Sequence, residues 1–253
     1  LCNQLYRIRF PWRILFQLSK MIDIFESRGR AVKLNDRKKT YYDLSSQLAG
    51  MSTSEIKRLL SKSRNNVGWG ATWGMKLAKH KVFVKAIPLT ELERQNAFST
   101  KNHFGLPTYY NYGVGSAGLG AFRELLTHVK TTNWVLNGEI ANFPLMYHYR
   151  IVPRISQREP FRKAEHEKYI KRWNSSKAID RYIRERRKSN YEILLFLESV
   201  PQNLKQWLGS NCGKIAKIAG QFYKTIAFLR NKVVIQTSTR TLRTFWSATI
   251  SLT

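Results

Sequence analysis

The spacing of apolar positions changes several times along the chain, and each change marks a predicted element. Residues 21–64 are polar and read as mostly helical. Ser/Thr N-cap candidates in Met51-Ser52-Thr53-Ser54-Glu55 precede Ile56, Leu59 and Leu60, which share one helical face, so an amphipathic lead-in helix is expected. From Val67 to Pro88 the pattern becomes glycine-punctuated and alternating. Within it, residues 81–87 are β-branched and aromatic and predict a strand ended by Pro88. Residues 122–136 predict a helix with Leu125, Val129 and Leu136 inward, and residues 144–152 a strand stopped by Pro153. Residues 154–190 are heavily charged, yet Ile170, Trp173, Ile179, Tyr182 and Ile183 keep a helical spacing. The continuous apolar run 193–197 is short enough to predict a buried strand. Helices are predicted around residues 204–208 and 215–229, and no internal repeat is found. This order predicts an α+β lobe leading into a helical lobe.

Composition agrees with a packed domain. Of the 253 residues 43% are hydrophobic and 13% aromatic, which excludes disorder throughout. No run approaches the length of a membrane span, so no membrane partner is expected. Arg9 and Arg13 interrupt the apolar N-terminal stretch and no small-residue cleavage site follows it, so no signal peptide is read there. The chain starts with Leu, and Met21 is the first possible start; residues 1–20 are expected to be upstream sequence or part of a larger reading frame. Cys2 and Cys212 form neither a disulfide framework nor metal-ligand spacing, the five histidines make no zinc motif, and a cytoplasmic location is expected. The formal charge of +28 brings nucleic acid into consideration, but it is unevenly spread: Glu198 is the last acidic residue of the chain.

Candidate chemistry begins at Gly68-Trp69-Gly70-Ala71-Thr72-Trp73-Gly74, followed eleven residues later by Lys85 in a predicted strand. A glycine-rich hairpin lets backbone N–H groups approach a polyphosphate, and a strand lysine beneath it can neutralise phosphate oxygens. No Gly-Lys-Ser/Thr follows, so this is not a Walker A loop. Such a lysine needs a carboxylate. Glu124, on the next predicted helix, is the natural partner; Glu91 and Glu93 are closer in sequence but fall in a predicted connector. Further on, Glu198, Ser199 and Val200 link the apolar strand to a helix, as a hinge between two lobes would, with backbone groups available to an adenine edge.

Together with Leu106-Pro107-Thr108-Tyr109-Tyr110-Asn111-Tyr112-Gly113-Val114-Gly115-Ser116 and residues 131–136, these features resemble a group of bacterial protein-kinase-like proteins over roughly residues 51–235. The resemblance implies a kinase-like N-lobe over residues 51–200, an antiparallel sheet plus helix C, with residues 154–190 as a charged connecting insertion. Residues 1–50 would be an N-terminal extension and 201–235 the start of an incomplete helical C-lobe. It implies ATP as cofactor, with Gly68, Gly70 and Gly74 over the phosphates, Lys85 contacting them, Glu124 pairing with Lys85, and a hinge at Glu198, Ser199 and Val200. It further implies magnesium in intact relatives and a protein substrate or partner whose Ser/Thr hydroxyls receive phosphate.

The chain departs from that family after Ile235. Residues 236–253 contain six threonines and no Asp, Glu, Gly or Pro, so neither a catalytic-loop Asp nor a metal-binding carboxylate is present there. A change of reading frame near Ile235 is the expected origin. Codons can be chosen for this segment whose neighbouring frame yields an Asp and an Asn at the separation used by a kinase catalytic loop. The expectation is therefore an ATP-binding, kinase-like domain without turnover, and without metal ligands of its own. The alternatives are a small-molecule kinase of the same fold, a pseudokinase scaffold, and a basic nucleic-acid-binding protein using aromatics such as Tyr169, Trp173 and Tyr182.

Overall fold

A computed structural model describes residues 34–61, 65–66, 71–111, 113, 115–158, 160–201, 207, 211, 213 and 215–232. The predicted segments 1–33 and 233–253, and most of the helix expected around residues 204–208, lie outside them.

The described chain is an α+β fold built on an antiparallel sheet. Its strands are β1 (Asn65–Asn66), β2 (Ala71–Leu77), β3 (His80–Leu89), β4 (Met146–Pro153) and β5 (Tyr191–Glu198), in the spatial order β1-β2-β3-β5-β4. The long helices are α1 (Leu34–Gly50), α2 (Thr53–Leu60), α5 (Ala121–Leu136), α6 (Lys163–Arg172), α7 (Lys177–Lys188) and α8 (Ile215–Asn231). Two short ones, α3 (Glu91–Gln95) and α4 (Thr108–Asn111), interrupt the passage from β3 to α5.

Period-two alternation divides β3 and β5 between two cores. Val82, Val84 and Ala86 of β3, with Leu194 and Phe196 of β5, join Trp73 and Met75 of β2 on the face that receives α1 and α2. Leu44, Leu48 and Ile56 from those helices are fully buried there, each worth roughly 1.5–3 kcal/mol. The alternate residues Ile87, Leu89, Ile193, Leu195 and Leu197 pack on the opposite face against Ala121, Phe122 and Leu125 of α5. β5 is buried on both faces, which is why its sequence shows no alternation.

The lead-in helix starts as its sequence proposes. Ser52 caps α2 by accepting the Glu55 N–H, while the Glu55 carboxylate accepts the Ser52 N–H, a complete capping box.

One expectation is corrected. Pro88 does not end β3, which continues to Leu89. The β2 partners run out at Lys85, so at Pro88 the strand has β5 on one side and no ladder to donate to on the other. Residues 154–190 keep the helical spacing read in their sequence and bury it. Ile170, Ile179, Tyr182 and Ile183 of α6 and α7 form a third core with Leu106, Tyr110 and Ala117. The glycine of the Tyr-rich segment serves this contact: a Cβ on Gly113 would lie 2.4 Å from the Trp173 ring and 2.6 Å from the Tyr109 carbonyl. Only a residue without a side chain admits that approach.

Candidate functional site

The site is built on the sheet face that carries α5. Lys85 lies between Val84 and Ala86, whose side chains face the other core, and it is paired in register with Thr72 of β2 and Leu195 of β5. Its alternation therefore directs the ammonium toward α5, where Glu124 occupies the first turn of the helix. Lys85 Nζ donates to Glu124 Oε1 at 2.5 Å, with side chains only 3% and 8% exposed. The two residues that the sequence reading pairs are thus in contact.

Burial dominates the electrostatics of this pair. Loss of hydration pushes the Lys85 ammonium down from its ordinary range and the Glu124 carboxyl up from its own, while their mutual attraction opposes both shifts. Arg186 of α7 is close enough to act on both groups, disfavouring the Lys85 charge and favouring that of Glu124. Arg186 is itself buried and donates to the Tyr182 hydroxyl at 3.1 Å. Burial alone would disfavour its charge, but the Tyr182 phenol and the Glu93 carboxylate outweigh that and raise its pKa.

Glu93 also sets the position of α5. The residue before that helix, Gly120, has φ 86°, a backbone angle suited to glycine, and offers no side-chain cap. Glu93 substitutes: its Oε1 accepts the Ala121 N–H at 2.9 Å, while Oε2 accepts the N–H and hydroxyl of Thr90. One buried carboxylate thus joins the exit of the lysine strand to the start of the glutamate helix, stabilising the free donors of the helix end.

One turn after Glu124 stands His128, fully buried and, among the described residues, without a hydrogen-bond partner at either ring nitrogen. Burial, reinforced by the Lys85 charge, pushes its pKa down to about 3.

The remaining candidates are placed as follows. Gly74 is inside β2, not in a turn; it pairs with Phe83, is exposed, and meets no described residue within 4 Å of where a Cβ would stand. Thr72 and Gly74 lie in register with Lys85 and Phe83, on the Lys85 face. Gly68 and Gly70 lie outside the described residues, in the chain between β1 and β2. Glu198 is the last residue of β5, opposite Val82, and its side chain is turned to the α1 face. There it receives Arg37 Nη2 at 2.7 Å and Arg37 Nε at 3.2 Å. Ser199 and Val200 continue from it outside any regular element, half-buried.

Of the aromatics considered for nucleic acid, Tyr182 is buried while Tyr169 and Trp173 are half-buried against the third core. Tyr182 is fully buried and donates to the Ala117 carbonyl, Tyr169 shares a hydrogen bond with Tyr110, and Trp173 packs edge-on to Tyr110. Among the described residues no cluster of three or more His, Cys, Asp or Glu is placed to hold a metal ion, and no helix is long and apolar enough to cross a membrane.

Sequence reading missed Arg37, His128 and Arg186, and set Glu93 aside as a connector residue. For Glu93 a signal existed: Thr90-x-x-Glu93 is a capping-box spacing directly after a strand. Comparison with known proteins adds no relative: no known family, no curated protein and no solved structure matches this chain.

Proposed function

We propose that this chain is the nucleotide-binding lobe of a protein-kinase-like phosphotransferase and that its ligand is ATP. The observation that carries the reading is the buried Lys85–Glu124 pair joining β3 to the next long helix, α5. Protein kinases hold the α- and β-phosphates with such a lysine, kept in place by such a glutamate. Three further features support it. Gly74 precedes Lys85 in the antiparallel β2–β3 pair, and Gly68 and Gly70 precede it in sequence. On the Lys85 face, Gly74 meets no described residue within 4 Å of its Cβ position. A connector at Glu198, Ser199 and Val200 leaves the sheet from β5, the strand next to the lysine strand.

The electrostatics fit a polyanionic ligand. Lys85 and Arg186 stand near Glu124 and Glu93, so an added phosphate charge would meet cations that are already desolvated. ATP and its magnesium bring the phosphoryl group; the described residues bind and orient. No Asp or Glu follows Glu198 in this chain, so the chain carries no catalytic-loop carboxylate beyond the connector. Nucleotide binding is the activity we assign to the described residues.

Thermal-shift titration with ATP and magnesium tests the reading. Stabilisation should grow with ligand, approaching about 2.7 kcal/mol at a hundredfold excess over Kd, and Lys85→Met should abolish the response. No shift in the unsubstituted protein would defeat the proposal.

A further inference from the structure

We propose that Arg37, from the helix ahead of the sheet, is a positioning residue for recognition of the nucleotide base. The inference rests on the nucleotide reading above and assigns a role to a segment that the reading does not need.

Arg37 is 5% exposed, although it lies in the first turn of a polar helix. Its guanidinium uses its donors on two elements at once. Nε and Nη2 bind the two oxygens of Glu198 at 3.2 and 2.7 Å, while Nη1 and Nη2 reach the carbonyls of Ala141 and Phe143, each at 2.8 Å. Glu198 Oε2 accepts the Leu145 N–H at 3.1 Å as well, and the Glu198 N–H returns to the Leu145 carbonyl at 2.8 Å. The last residue of β5 is thereby fixed to the lead-in of β4 and to α1. A planar guanidinium matched to both carboxylate oxygens fixes direction as well as distance, which a lysine at this place would not do.

What this fixes is the point from which Ser199 and Val200 leave the sheet. Glu198 is opposite Val82, three residues before Lys85 on β3, or about 10 Å by strand rise. Connector and lysine therefore stand apart along one strand, as the base and phosphate ends of a nucleotide require. A base edge is read by main-chain groups whose placement depends on how the connector starts. A buried, four-bonded arginine at that start sets the base end and leaves Lys85, on the other face, to set the phosphate end. Helix α1 thus belongs to the binding machinery.

The test compares ATP with inorganic triphosphate, both with magnesium, by calorimetric titration of the full chain. The unsubstituted protein should bind ATP more tightly than triphosphate. In Arg37→Gln the triphosphate affinity should stay within about twofold while ATP affinity falls roughly tenfold or more, the scale of one misplaced hydrogen bond at the base. Lys85→Met should weaken both ligands. A general loss of stability moves both affinities together, so the ratio isolates positioning from folding. Should Arg37→Gln fail to fold, Glu198→Gln tests the same clamp, since it keeps shape and one acceptor; its ATP preference should fall while Arg37→Lys recovers part of that of the unsubstituted protein. An unchanged ATP-to-triphosphate ratio in the clamp variants overturns the proposal and leaves the nucleotide reading standing. Binding of neither ligand by the unsubstituted protein removes both.

Discussion

The Glu93 carboxylate accepts the main-chain N–H of Ala121 at 2.9 Å, across a sequence separation of 28 residues, and this bond aligns the helix that presents Glu124 with the strand that presents Lys85. Glu93→Ala removes an acceptor for Ala121, the reciprocal cap on Thr90 and a counter-charge for Arg186. We expect a loss of about 1–3 kcal/mol in urea unfolding, the range for stranding buried donors. Glu93→Gln keeps one acceptor and should lose less. Equal stability of the alanine variant and the unsubstituted protein would show that the bond contributes nothing.

The Lys85–Glu124 pair separates stability from ligand binding. Removing one member leaves the other charge buried at a site with a few per cent exposure, and Lys85→Met or Glu124→Leu alone should each cost about 3–5 kcal/mol. The double variant Lys85→Met/Glu124→Leu replaces the pair with apolar side chains of similar length and should recover most of that loss. It should nevertheless show no thermal shift with ATP. A double variant as unstable as the worse single one would contradict this account of the pair.

Much of this arrangement was legible because it is written locally. Residues 193–197 are apolar at every position since β5 has a core on each face, and Lys85 stands among β-branched and aromatic residues that only a strand would gather. Glu124 follows from helical placement alone. The Arg37–Glu198 clamp could not be read in this way, as its members are 161 residues apart and each looks like an ordinary surface charge. Pro88 misled for a different reason: proline is excluded from a strand only where a neighbour on the side of its missing N–H needs that donor, and β2 ends before that point. The charge of α6 and α7 concealed their packing role, because a buried stripe at Ile170, Ile179, Tyr182 and Ile183 holds them while most other positions are polar.

His128 should make the fold acid-sensitive in a defined window. Its pKa lies near 3 in the folded protein and near 6.5 in an unfolded chain. The unfolded state therefore binds more protons between those values, and stability is lost as pH falls from about 6.5 toward about 3. The slope from this one group approaches 1.4 kcal/mol per pH unit. His128→Leu should flatten that part of the profile, measured by urea unfolding at several pH values. An identical slope in the variant would assign the acid sensitivity to other groups.

Gly74 provides the sharpest separation of ligand from fold. Among the described residues its Cβ position meets nothing within 4 Å, and the residue is exposed in the middle of a strand with no positive φ. By backbone preference alone Gly74→Ala should be neutral or stabilising, by roughly 0.5–1 kcal/mol. On the Lys85 face, however, the added methyl group occupies space beside Phe83 that a nucleotide would approach. We therefore expect Gly74→Ala to raise or keep the melting temperature while weakening the ATP-dependent shift, and Gly74→Val to abolish that shift. Gly113→Ala is the control: its methyl group would strike the Trp173 ring and the Tyr109 carbonyl, so the fold should weaken while ATP affinity, measured at a temperature where the variant is folded, stays unchanged. Full ATP response in Gly74→Val would place the ligand elsewhere on the sheet.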